Sequence, residues 1–239
     1  MTRDMAKAST RTPVLGPAFI RLLARFSEAD LPRTPPVLTE RLADWFDWNR
    51  ALVLSRALDG GLPAAEDGAD TGDAHDAECV RARHALQQAI DADIAPAMPA
   101  RKDASAIDDE YHPYRQHCMA VQRAMQSATG QLRGRLRDAL ARQSPAKARL
   151  AEVDAVMEAV LSPREQMLLA RVPGLLGHHY QRLHEAGAPH STGANAPDDA
   201  SATGLWLARF RQDMRMALLA ELEVRFHPID GLLAALRTE

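Results

Sequence analysis

The 239-residue chain contains only two cysteines, and aromatics make up 5% of it. No apolar run reaches the roughly 18 residues that span a bilayer, so no transmembrane segment is expected. The first residues, Met1 to Pro13, are polar and mixed in charge. They lack the hydrophobic core of a secretory signal, which points to the cytoplasm. There the two cysteines, Cys79 and Cys118, are expected to be reduced thiols, each occupying the place of a small core residue. No run of alternating Val, Ile and Thr announces a strand. Motifs of several enzyme classes are also missing. There is no phosphate-binding glycine loop ending in Lys and Ser or Thr, no dinucleotide fingerprint, no Gly-x-Ser-x-Gly elbow and no His-Glu-x-x-His helix. The Glu-x-x-His pairs of a di-iron bundle are absent as well. No catalytic residue, cofactor or metal ligand is assigned, and the chain is read as non-enzymatic.

What is present is helical patterning. From Pro113 to Arg142, Tyr114, Cys118, Val121, Met125, Ala128, Leu132, Leu136 and Leu140 recur at steps of three and four, one face of a single long helix. This helix is taken as the spine of an all-α bundle of about seven to eight helices. A first helix is expected from Gly16-Pro17, with Phe19, Ile20, Leu22, Leu23 and Phe26 on its apolar face. A second carries Leu38, Leu42, Trp45 and Phe46. A third, capped by Asn49, carries Leu52, Val53 and Leu58. Another runs from about His75 to Ile94. Beyond Ser144-Pro145 a helix buries Leu150, Val153, Val156, Met157 and Val160, and Ser162-Pro163-Arg164-Glu165 reads as the capping box of the next. Pro173-Gly174 should kink or split that helix, and His227-Pro228 should interrupt the last one, leaving a short closing helix from Gly231. The expected organisation is a flexible tail at 1–15, an N-terminal helical subdomain at 16–59, an acidic linker at 60–74, and a main bundle at 75–239 with a disordered loop at 187–204.

The formal net charge of −3 hides an uneven layout. Residues 1–58 carry +3, residues 59–110 carry −9, residues 111–150 carry +7 and residues 151–239 carry −4. The acidic second segment is expected to be solvated or to face the basic spine. On the spine, Arg115, Arg123, Arg133 and Arg137 fall within about 80° of one another, opposite the apolar stripe, with Arg135 and Arg142 on a second flank. Such a face suits either phosphates or an acidic partner helix. Gly130 and Gly134 lie near it and either admit another backbone closely or mark a bend. Trp45 and Trp48 flank a corner, where they close a small core or, if exposed, anchor a protein partner. The histidine pairs His112/His117, His178/His184 and His179/His184 have spacings of five and six, which do not stack ligands on a helix.

Two stretches carry a family likeness. One is Gly16-Pro17-Ala18-Phe19-Ile20-Arg21-Leu22-Leu23-Ala24-Arg25 with Leu42-Ala43-Asp44-Trp45-Phe46-Asp47-Trp48. The other is Leu222 to Leu233, with Arg225, Pro228 and Gly231-Leu232-Leu233. Together they resemble an uncharacterised bacterial family catalogued as a domain of unknown function, DUF3348. The resemblance implies a cytoplasmic bacterial protein, and a gene neighbourhood with proton-channel stator and peptidoglycan-anchoring membrane components. It transfers no catalytic residues. The sequence therefore suggests a helical interaction protein, an adaptor or accessory subunit of a larger assembly that includes membrane-associated ones, with a protein partner. The alternative is a nucleic-acid-associated regulator using the arginine face.

Overall fold

The stripe from Tyr114 to Leu140 does wind into one helix, and its neighbours cover it. The computed structural model describes residues 18–27, 45–60, 73–94, 106–187 and 199–238. Among these the helices are α1 (Ala18–Ser27), α2 (Trp48–Asp59), α3 (Asp73–Ile90), α4 (Ala106–Gln143), α5 (Pro145–Leu169), α6 (Val172–Gly187) and α7 (Asp199–Arg237). The all-α bundle is built around α4, whose 38 residues span about 57 Å at 1.5 Å each. The tail at 1–15, the helix expected around Leu38 and Leu42, and most of the linker at 60–74 lie outside the described residues. So does most of the loop at 187–204, although α7 already begins at Asp199.

α4 packs most extensively on α7. α3 and α6 each lie against both of these helices, α5 covers a flank of α4, and α1 closes on α6 and α7. α2 rests on α5, so the two described helices of the expected 16–59 subdomain pack on different neighbours. Cys118, Met125, Leu136 and Leu140 of α4 are buried with Phe210, Leu218, Leu222, Phe226 and Ile229 of α7. Each such side chain contributes about 1.5–3 kcal/mol when fully removed from water. Two residues counted as core from their spacing, Ile20 and Leu150, are instead 42% exposed.

Three prolines expected at helix starts or at a break lie inside helices. Pro113 lies in α4, Pro163 in α5 and Pro228 in α7. An internal proline forfeits a backbone bond and crowds the preceding turn, at about 3 kcal/mol. Here each one is flanked by side chains that pin the helix to its neighbours: Tyr111 and Tyr114, Val160 and Leu169, Phe226 and Ile229, all buried. Tertiary burial outweighs the local penalty, so Ser162 to Glu165 is helix interior and starts nothing. The break expected at Pro173-Gly174 occurs just before it, at Ala170–Arg171. Pro173 then occupies the first turn of α6, where its missing N–H costs little. The cap of α2 is Asp47, whose Oδ1 accepts the Arg50 N–H at 2.8 Å, rather than Asn49.

The glycines divide in the same way. At Gly177 an added Cβ would stand 2.9 Å from Cε1 of Tyr111, so α6 and α4 approach closely there. At Gly130 and Gly134 it would meet nothing within 4 Å, so no backbone approaches the spine at these positions. Gly130→Ala is therefore expected to raise stability by about 1 kcal/mol through helix propensity alone. A urea titration followed at 222 nm checks this, and an unchanged or lower midpoint would contradict it.

Candidate interaction surfaces

The arginine face of α4 is divided between two environments. Arg133 and Arg137 are half-buried against α5. Arg133 donates from Nε and Nη2 to the two oxygens of Asp154, at 2.8 and 2.7 Å. Arg137 donates to Asp154 at 3.2 Å and also to Glu158. Burial alone would lower the Arg137 guanidinium pKa, but the two carboxylates hold it above its usual value. Asp154 and Glu158 are one turn apart on α5 and belong to the mildly acidic C-terminal portion. The strongly acidic second segment meets α4 through Glu78, 2.6 Å from Arg135, while its Asp76 and Asp91 pair with Arg237 and Arg215 of α7.

Arg115 and Arg123, at the other end of the face, are exposed. They line a groove of about 420 Å³ between α4 and the α5–α6 corner, together with Gln122, Gln126, Gln166 and Arg171. A second groove of about 440 Å³ continues along α4 past Arg133 and Arg137, sharing Gln126, Gln166 and Arg225 with the first. Beneath this rim lies Glu221, a fully buried residue of α7. It accepts from Gln122 Nε2 at 2.8 Å and from Arg225 Nε at 2.9 Å. Gln122 donates to the Leu169 carbonyl as well, at 3.1 Å, and Arg225 reaches Glu165 at 3.4 Å. Burial pushes the Glu221 carboxyl pKa up, against the pull of Gln122 and Arg225. Glu221, Gln122 and Arg171 are not singled out by sequence pattern. The Glu221–Arg225 spacing of four is the one available signal, and it resembles any solvated surface pair.

The two tryptophans part company. Trp45 is half-buried, with the Arg164 guanidinium 5.3 Å from its ring centroid and the Trp45 carbonyl accepting from Arg164 at 3.3 Å. Trp48 is 81% exposed. Arg149 donates to the Gly60 carbonyl at 2.5 Å, so α2 lies antiparallel to α5, with its tryptophan end near Arg164. The exposed Met167 and Leu168 are at that same end.

The histidines are scattered among structural roles. His179 is buried, stacked on Phe26 at 4.6 Å between centroids and bonded to Asp213 at 2.8 Å. His184 meets the Trp206 ring edge-on, and His178 is exposed. Among the described residues no three His, Cys, Asp or Glu side chains gather as metal ligands. Both cysteines are free, and burial pushes the Cys79 thiol pKa up to about 11 and that of Cys118 up to about 12. No described helix is long and apolar enough to cross a membrane.

Fold and surfaces define an all-α bundle with an exposed apolar helix on one flank and an arginine-lined groove on another. The chain belongs to the family described as "Protein of unknown function (DUF3348)", whose model matches residues 5–238. No curated protein and no solved structure matches it.

Proposed function

We propose that this chain is a non-enzymatic interaction protein, a cytoplasmic adaptor or accessory subunit of a larger assembly, membrane-associated assemblies included, that engages a protein partner through α2. The observation that carries this reading is the exposure of Trp48. Trp48, Ala51 and Leu52 share one face of α2 at helical spacing, and all three are exposed, as is Leu58 near its end. Ala57 is the buried residue of that helix. A helix normally turns its apolar stripe to the core. This one offers a stripe to solvent at the edge of the bundle, and tryptophan is enriched among the residues that dominate binding energy.

The test is affinity purification of the tagged full-length chain from its own host in gentle detergent, before and after nuclease. Wild type is expected to retain a defined protein partner after nuclease. Trp48→Ala is expected to lose that partner while keeping its unfolding free energy within about 0.5 kcal/mol. Equal retention by both proteins, or no partner at all, overturns the reading. Partners lost on digestion, with nucleic acid in the eluate, favour the nucleic-acid alternative. That alternative requires the arginine face to be exposed and unpaired, whereas Arg133 and Arg137 are engaged by Asp154 and Glu158.

A further inference from the structure

Several arginines among the described residues meet carboxylates. Arg83 bridges Glu223 and Asp230, Arg133 and Arg137 share Asp154, and Arg215 pairs with Asp91. Arg115, Arg123 and Arg171 differ. They line the groove of about 420 Å³, whose lining contains no carboxylate, and none of the three reaches a carboxylate among the described residues. The fourth guanidinium there, Arg225, is already compensated by Glu221 and Glu165. Like charges gathered around one concavity repel one another, and an anion seated between them relieves that repulsion.

We propose that this groove binds the phosphate group of a small organic phosphate. A phosphate monoester carries about −1.5 to −2 charges near neutrality and three strong acceptor oxygens. That matches three arginines lining one groove better than the single charge of a carboxylate does. Guanidinium forks are suited to such oxygens. Arg123 has its Nε tied to the Met119 carbonyl of its own helix at 3.2 Å, which directs the side chain and leaves its terminal nitrogens for the ligand. The remainder of the lining suits an organic body. Gln126 and Gln166 supply neutral donors and acceptors, and Met119, Leu169 and Pro173 supply apolar wall.

The floor is firm. Gln122 is held between the Leu169 carbonyl and Glu221, so little order has to be created on binding. The volume falls within the roughly 300–1,000 Å³ of small-ligand sites. The free arginines stop at the groove, because Arg133 and Arg137 further along the face are neutralised. This favours a mononucleotide or sugar phosphate over a nucleic-acid strand.

The experiment is isothermal titration of the full-length chain with adenosine monophosphate and glucose 6-phosphate at constant ionic strength. A single-stranded oligonucleotide and citrate serve as comparison probes. Saturable binding of at least one monoester is expected, with affinity reduced about tenfold or more for each arginine removed in Arg115→Gln, Arg123→Gln and Arg171→Gln. Arg81→Gln, at an exposed arginine outside the groove, should bind as wild type does. All four substitutions are at exposed positions, and circular dichroism verifies their folding. The proposal is overturned if neither monoester saturates, if the groove variants bind as well as wild type, or if only the oligonucleotide or only citrate binds.

Discussion

Phe210→Ala is expected to lower the unfolding free energy by about 3–5 kcal/mol. Phe210 is fully buried in α7 and lies at the centre of an aromatic cluster. Its ring meets Tyr180 at 4.9 Å and Tyr114 at 5.3 Å between centroids, both nearly perpendicular, and Tyr111 at 6.1 Å. Edge-to-face pairs of this kind add about 0.5–1.5 kcal/mol beyond the buried area. The loss should be felt beyond the immediate cavity, because the cluster joins α4, α6 and α7. His179, 6.3 Å from Phe210, also carries the Phe26 ring of α1. Urea unfolding monitored at 222 nm gives the number. A loss below about 2 kcal/mol would mean that the tyrosines collapse into the space and that the cluster is not a tightly packed hub.

Glu221→Ala is expected to cost a similar amount, about 3–5 kcal/mol, by a different mechanism. It removes little apolar packing. Instead it strips the partner from Arg225, whose side chain is 7% exposed, leaving it Glu165 at 3.4 Å. It also removes one of the two acceptors held by Gln122. A buried charge deprived of its counter-ion is among the most destabilising lesions available to a single substitution. A cost under about 1 kcal/mol would show instead that water reaches Arg225 once the carboxylate is gone.

The same residue has a pH signature. Burial holds its carboxyl above the ordinary 4.5, and Gln122 and Arg225 reduce that shift. A carboxyl raised in the fold favours folding in its protonated form. Its contribution is therefore complete below 4.5 and is lost as the pH rises through the folded value. Glu221→Gln does not titrate at this position. Its stability relative to wild type is accordingly expected to improve on going from acid to neutral pH, as parallel urea titrations at the two conditions would reveal. A difference that stays constant or moves the other way would mean that the ion pair outweighs burial.

Much of this architecture was legible from spacing. The stripe from Tyr114 to Leu140 marks α4 because side chains three and four positions apart must share a face, whatever lies opposite. The same rule places Phe19, Leu22 and Phe26 of α1 on a core face. The prolines were readable only as helix starts or as a break. Pro113, Pro163 and Pro228 each carry a local penalty that a sequence displays, while the compensating burial comes from residues distant in the chain. Ile20 and Leu150 were misplaced for a related reason, since an apolar side chain at a helix edge is buried only if a neighbour happens to cover it.

The surfaces followed the same division. Four arginines on one side of α4 were readable by counting, but their roles were not. Arg133 is neutralised by Asp154, 21 positions away, whereas Arg115 and Arg123 open onto a groove completed by Gln166 and Arg171 of a different corner. Trp45 and Trp48 are three residues apart, yet one lies beneath Arg164 and the other stands in solvent. By itself the sequence determined the helical class, the spine and the sign of charge on each face, because these depend on local geometry and composition. Only the tertiary structure decided which prolines could be tolerated, which arginines remained available and where a carboxylate was buried. Each of those outcomes is a balance between a local cost and a contact made across the bundle, and the second quantity exists only once the helices are packed.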